Sequence, residues 1–105
     1  MIVRYDGFKV FPSLIETVVS SHDSVVSCCV VGTADKKHAQ GKLPIVFAVL
    51  RDTCDVDSVK RALIELCKKE LPEYAQPVDF VFIDQMPLTP IGKIDYRKLE
   101  CRANE

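Results

Sequence analysis

SVVSCCVVGTADKKHAQGKLPIVFAVL, residues 24–50, decides the fold. Two near-continuous apolar runs, 24–31 and 44–50, are each ended by turn residues, and the polar stretch TADKKHAQGK separates them. A strand with one wet face alternates apolar and polar side chains, whereas an unbroken apolar run suits a strand covered on both faces. The polar stretch reads as an exposed loop joining two such strands.

Working outward, residues 57–71 carry Val59, Ala62, Leu63, Leu66, Cys67 and Leu71 at the three- and four-residue spacing of an amphipathic helix. Asp55 or Asp57 can cap its start, and Pro72 marks its end. DFVFID, 79–84, is a third strand, and a short helix is expected over about 95–102. On the other side, IVRYDGFKVF at 2–11 reads as a hairpin turning on Asp6-Gly7, a dipeptide that tolerates the positive φ of a tight I′ turn. Pro12 then opens a helix with Leu14, Ile15, Val18 and Val19 on one apolar face, and Glu16 favours its positive start. All four glycines fall at predicted turns. The expected fold is α+β: a small three-stranded sheet covered by helices, with an N-terminal β-hairpin, in one domain spanning 1–105.

With 105 residues, nearly half apolar and a little over a quarter charged, the chain matches an average soluble globular protein. A domain of this size buries about 65% of the surface its unfolded chain exposes, enough to fold without metal or disulfides. The formal net charge of −1 argues against a nucleic-acid or anionic-membrane binder driven by gross electrostatics. Five cysteines, Cys28, Cys29, Cys54, Cys67 and Cys101, are odd in number and contain no CxxC pair. They read as small buried hydrophobes in a reducing compartment. No signal-peptide core and no apolar run near ~20 residues is present, so a cytoplasmic protein is expected.

The residues alone reveal no self-contained active site. His22 and His38 lie in polar surroundings without metal-like spacing. Gly92-Lys93-Ile94 is not a phosphate-binding P-loop, because the earlier spacer glycine and the Ser or Thr after the lysine are both missing. Lys93 is nevertheless set apart by its surroundings, PLTPIGKIDYRKL, residues 87–99. Pro87 and Pro90 stiffen the approach, and Gly92 permits a conformation other residues resist. A rigid loop ending in one flexible ammonium suits a probe inserted into another site and can complement phosphate. By composition and spacing, a solvated turn lysine is the better reading.

Two stretches together shift that balance. MPLTPIGKIDYRKL resembles the Pro-x-Thr-x-x-Gly-Lys-Ile signature near the C-terminus of the adenylate-forming enzymes: acyl-CoA synthetases, aryl-CoA ligases, luciferases and peptide-synthetase adenylation domains. VRYDGFKVFPSLIE resembles that family's earlier motif, a Gly-aromatic-basic turn before a helix with Glu. The resemblance covers essentially the whole chain. It implies the small, mobile C-terminal domain of an ATP-dependent acyl-CoA synthetase, whose large N-terminal adenylation domain is not in this sequence.

In that family a carboxylate attacks the α-phosphate of ATP, giving acyl-adenylate and pyrophosphate, and a thiol, usually that of CoA, then displaces AMP; the small domain rotates between the steps. The resemblance makes Lys93 the adenylation lysine, with Thr89 and Gly92 supporting its loop. Gly7, Phe8 and Lys9 would meet CoA, with Lys9 otherwise a solvated strand residue, and Arg4 would contact the adenylate. ATP and Mg belong to the full-length enzyme, with none bound by this domain alone, and the isolated chain is expected to be inactive. The implied partners are the large domain and CoA, with no nucleic acid or membrane. Leu14 stands where an acidic residue is often seen. Pro12 stands where peptide-synthetase domains more usually have leucine-glycine, which favours a CoA ligase over a carrier-loading domain. The alternatives are the C-terminal part of a peptide-synthetase adenylation domain and a stand-alone, non-catalytic interaction module.

Overall fold

The computed structural model describes residues 2–3, 7, 9–34, 41–51 and 55–103. In chain order the elements are β1 (Ile2–Val3), β2 (Lys9–Val10), α1 (Pro12–Ser20), β3 (Val25–Ala34), β4 (Lys42–Leu50), α2 (Val56–Glu70), a 3-10 turn (Glu73–Ala75), β5 (Phe80–Phe82) and α3 (Tyr96–Ala103). β1 and β2 form an antiparallel hairpin. The main sheet runs β3-β4-β5, with β3 antiparallel and β5 parallel to β4. This is the expected α+β architecture.

Both faces of the central strands are covered, as their unbroken apolar runs require. Val46 and Ala48 of β4, Val30 of β3 and Phe80 of β5 pack with the hairpin, α1 and α2 through Ile2, Val10, Ile15, Val19, Val59, Leu63 and Cys67. The alternate residues Ile45, Phe47, Cys29, Val31 and Val81 turn to the other face, where Leu99 of α3 closes the layer with Met86 and Ile94. The period of two along each strand divides the apolar run between two cores.

Local chemistry sets the boundaries. Asp55, rather than Asp57, caps α2: its carboxylate accepts the Asp57 N–H at 3.2 Å and the Ser58 hydroxyl at 3.0 Å. Such a cap contributes about 1 kcal/mol. At the other end the Gln76 side-chain amide donates to the Leu71 carbonyl at 3.0 Å and to the Cys67 carbonyl at 2.8 Å, which also accepts the Leu71 N–H, tying down the helix C-terminus. Pro12 occupies the first turn of α1, where its missing N–H costs nothing.

Four expectations are corrected. The strands run past the predicted polar loop, so Thr33 and Ala34 pair with Leu43 and Lys42, and Gly32 lies inside β3 opposite Pro44 rather than at a turn. Leu14 is 48% exposed; the buried stripe of α1 is Ile15 and Val19, with Val18 at its margin. Glu16 lies beyond the first turn of α1, and its carboxylate accepts the Val30 N–H at 3.0 Å. It therefore caps the open edge of β3 instead of the helix start. The β1–β2 register pairs Ile2 with Val10 and Val3 with Lys9, whereas a two-residue Asp6-Gly7 turn would set Val3 opposite Val10. Asp6 itself lies outside the described residues.

Burial explains the thiols. Cys28 and Cys29 are adjacent but point to opposite sheet faces, into different cores. Burial, with the Glu16 carboxylate adding, pushes Cys28 up to about 11 and Cys29 up to about 12; burial alone takes Cys67 to about 11. Cys101 is exposed rather than buried as expected, and Cys54 lies outside the described residues. Reactivity follows the thiolate fraction, so iodoacetamide at pH 8 is expected to label Cys101 before Cys28, Cys29 and Cys67. Peptide mass mapping checks this, and early labelling of Cys29 would contradict the packing. In the folded protein these three acids titrate above their ordinary value of 9.0. Their contribution to stability is therefore fully present below pH 9 and is lost as pH rises through about 11 to 12.

Candidate functional site

The loop 88–94 is closed from both ends. Leu88 and Ile94 form an isolated antiparallel bridge, and the Asp95 N–H donates to the Pro87 carbonyl at 2.9 Å. Between them the Thr89 N–H donates to the Lys93 carbonyl at 2.7 Å, and the Gly92 N–H donates to the Thr89 carbonyl at 2.9 Å. The Lys93 N–H donates to the Thr89 hydroxyl oxygen at 3.2 Å. Thr89 thus binds both backbone groups of Lys93.

Gly92 has φ +87°, a conformation in which a side chain crowds the backbone. Pro90 leads into the same turn with its φ already fixed. The sequence expectation for this loop therefore holds at the level of backbone conformation.

Below the loop, Ile94 and Met86 pack on the Phe47–Leu99 core. Asp95 joins loop to helix, its carboxylate accepting the Lys98 N–H at 3.2 Å in the first turn of α3. The far end of α3 is latched by the Thr33 hydroxyl donating to the Ala103 carbonyl at 3.0 Å. Asp95 was not singled out from sequence, although an aspartate immediately before a helix is a readable cap signal.

Above the loop the side chains are free. Lys93 is exposed, and among the described residues its ammonium has no hydrogen-bond or ion-pair partner. Leu88 is 58% exposed and Ile91 79%. The loop therefore presents a single cation beside apolar side chains on a backbone that is fully hydrogen-bonded at its base. It can meet an anion, and apart from the Lys93 amine and the Thr89 hydroxyl, which is engaged by the Lys93 N–H, residues 88–94 carry no group for acid–base or covalent chemistry.

The second candidate lies at the hairpin. Gly7 is exposed with φ +86°, and among the described residues a Cβ built there would meet nothing within 4 Å. Backbone conformation favours the glycine. Lys9 is exposed on β2, next to the buried Val10. Arg4 and Phe8 lie outside the described residues, as does His38. His22 accepts the Ser24 N–H through Nδ1 at 3.1 Å, a local turn bond. A cleft of about 520 Å³ opens between Gln85–Pro87 and α3, with Lys98, Cys101 and Arg102 on its walls. Among the described residues no carboxylate or histidine lines it. Among the described residues no three His, Cys, Asp or Glu gather as they would to hold a metal ion, and no helix is long and apolar enough to cross a membrane.

The family model for the AMP-binding enzyme C-terminal domain matches residues 14–93. The chain is similar to a medium/long-chain fatty acid–CoA ligase of Mycobacterium tuberculosis, with 30% identity over 99 residues, covering 91% of this chain and 17% of that one. It is similar to a linear gramicidin synthase of Brevibacillus parabrevis, with 35% identity over 98 residues, 92% of this chain and 2% of that one. Among solved structures, the amide bond synthetase of Marinactinospora thermotolerans superposes with a TM-score of 0.86 at 26% identity, covering 99% of this chain and 20% of that one. The chain spans a fifth or less of the length of the curated relatives it matches.

Proposed function

This chain belongs to the family of AMP-binding enzyme C-terminal domains, and we propose that it is the mobile lid of an ATP-dependent acid–CoA ligase, supplying Lys93 to the adenylation step. The observation that carries this reading is the Lys93 loop: a lysine whose backbone is bound at both N–H and C=O by Thr89 and whose ammonium has no partner among the described residues. Adenylation brings a carboxylate against the α-phosphate of ATP, two anions that repel, with charge spreading over the phosphoryl oxygens. A positioned ammonium in a closed site stabilises that arrangement without having to reorganise.

ATP, with its magnesium, would supply the adenylyl group, with pyrophosphate leaving. In this chain Lys93 would meet the nucleotide, while the acid pocket and the remaining contacts would come from a large adenylation domain. Arg4 is assigned to the adenylate on resemblance alone. A cytoplasmic location suits the buried thiols Cys29 and Cys67 and the half-buried Cys28. On this reading the 105-residue chain by itself makes no acyl-CoA. ATP-dependent thioester formation by the purified chain would count against the division of labour.

The experiment that tests the proposal separates the half-reactions in the native-length protein. Carboxylate-dependent exchange between ATP and pyrophosphate reports adenylation, and CoA-dependent consumption of supplied acyl-adenylate reports thioester formation. Loss of the first alone on replacing Lys93 supports the assignment; equal loss of both contradicts it.

Gly7, Phe8 and Lys9 are assigned to the face used with CoA. The exposure of Gly7 supports this, because among the described residues nothing lies where its side chain would go. Gly7→Asn is the informative substitution, since asparagine tolerates positive φ while adding bulk. Thioester formation is expected to fall about tenfold or more, the scale of a misplaced reactant, with adenylation unchanged. Loss of adenylation in this variant would contradict the assignment.

The similarity to the linear gramicidin synthase favours one second reading, in which the acceptor is a carrier-protein thiol. Comparing CoA with a phosphopantetheinyl carrier as the acceptor separates the two.

A further inference from the structure

We infer that Thr89 is a positioning residue for Lys93: its hydroxyl, by accepting the Lys93 amide proton, sets the direction in which the ammonium leaves the loop. This deepens the proposed role of Lys93 and rests on it.

The argument starts from the acceptors available to two neighbouring amides. In an antiparallel ladder every second facing pair exchanges both N–H···O=C bonds, and next to the Leu88–Ile94 bridge Thr89 and Lys93 stand at such a position. Here Thr89 and Lys93 exchange only one, the Thr89 N–H donating to the Lys93 carbonyl at 2.7 Å. The Thr89 carbonyl is engaged by the Gly92 N–H at 2.9 Å, in the turn where Gly92 sits at φ +87°. The Lys93 N–H therefore takes the Thr89 hydroxyl oxygen, at 3.2 Å. A short side-chain hydroxyl replaces the missing backbone acceptor, and serine or threonine can supply it. Valine has nearly the same shape and cannot.

The bond is at the surface, so water can replace it and its loss costs the fold little. Direction is what it controls. With Lys93 held at both backbone groups, the Cα–Cβ vector is fixed and only the side-chain rotamers stay free. Released at its N–H, the lysine can rotate about the peptide plane, and the ammonium at the end of a four-carbon stem sweeps a wider arc.

The test uses Lys93→Ala, Thr89→Val and Thr89→Ser in the native-length protein, with wild-type and variant melting temperatures measured alongside. Thr89→Val is expected to lower the kcat of carboxylate-dependent ATP–pyrophosphate exchange by about 10- to 100-fold, leaving the KM for ATP, thioester formation from supplied acyl-adenylate and the melting temperature unchanged. Thr89→Ser keeps the acceptor and is expected to stay within about threefold of wild type, the small loss reflecting its freer χ1. If Lys93→Ala collapses exchange while Thr89→Val leaves it intact, the inference on Thr89 is overturned and the role of Lys93 stands. If Lys93→Ala leaves exchange intact, the Lys93 reading fails and the inference falls with it. Should Thr89→Val not fold, amide hydrogen exchange of the wild-type protein decides: protection at Lys93 supports the bond, and exchange at the rate of a free amide overturns it.

Discussion

Replacing Lys93 with alanine is expected to cut adenylation by about 10²–10³-fold, the usual cost of removing one preorganised donor from developing negative charge. Two features place the effect in that range rather than below it. Among residues 87–95 Lys93 is the only basic side chain, so no neighbour on the loop can take over its charge. The loop is also hydrogen-bonded through Thr89, Gly92 and Asp95, so little ordering remains to be done when an anion arrives. Lys93→Arg restores charge without geometry: a planar guanidinium on a longer stem is not a substitute for a compact ammonium, and most of the loss should persist. Exchange of labelled pyrophosphate into ATP measures the effect, and a loss below about threefold would place the chemistry elsewhere.

Phe47→Ala is expected to destabilise the domain by about 3–5 kcal/mol. Phe47 is 1% exposed at the middle of β4, in one core with Cys29, Val31 and Leu99. For a domain of this size, about 5 °C per kcal/mol converts that to a fall in melting temperature of roughly 15–25 °C. Since native domains hold only about 5–15 kcal/mol in total, much of the margin would be gone. The same core carries Met86 and Ile94 under the Lys93 loop, so adenylation should weaken even in molecules that remain folded. Val26→Ala, at a 59% exposed residue beside the register shift of β3, should change stability by no more than about 0.5 kcal/mol. Thermal melts of both variants check the pair; a small shift for Phe47→Ala would mean the two-core description is wrong.

Apolar content along β3 and β4 showed in advance that the sheet is covered on both faces, because unbroken runs such as PIVFAVL cannot leave one face wet. The helix at 56–70 was equally readable, since its periodicity is long and its cap, Asp55, is local. What the sequence hid was non-local. Glu16 looked like a helix-start charge because its partner, the Val30 N–H, lies fourteen residues away. Val26 adds a residue to β3, so Val25 and Val30 share a face despite their odd spacing, and no simple alternation reveals that.

The site shows the same division. Lys93 stood out through its prolines, its glycine and its resemblance to a known signature, and the positive φ of Gly92 and Gly7 followed from residue type. That Thr89 binds Lys93 through two of its atoms, its N–H and its hydroxyl oxygen, could not be read from spacing. It depends on which carbonyl Gly92 has already taken. Leu14 was misplaced because α1 buries a narrower stripe than its four apolar residues suggest.

The central claim is that two loops of one small domain, at Lys93 and at Gly7, serve two successive half-reactions. The most direct measurement is a crossed comparison in the native-length protein: Lys93→Ala and Gly7→Asn, each assayed for pyrophosphate exchange and for thioester formation from supplied acyl-adenylate. The account predicts opposite patterns, with Lys93→Ala losing the first and keeping the second, and Gly7→Asn keeping the first and losing the second. Parallel losses in both variants, or no loss in either, would contradict it.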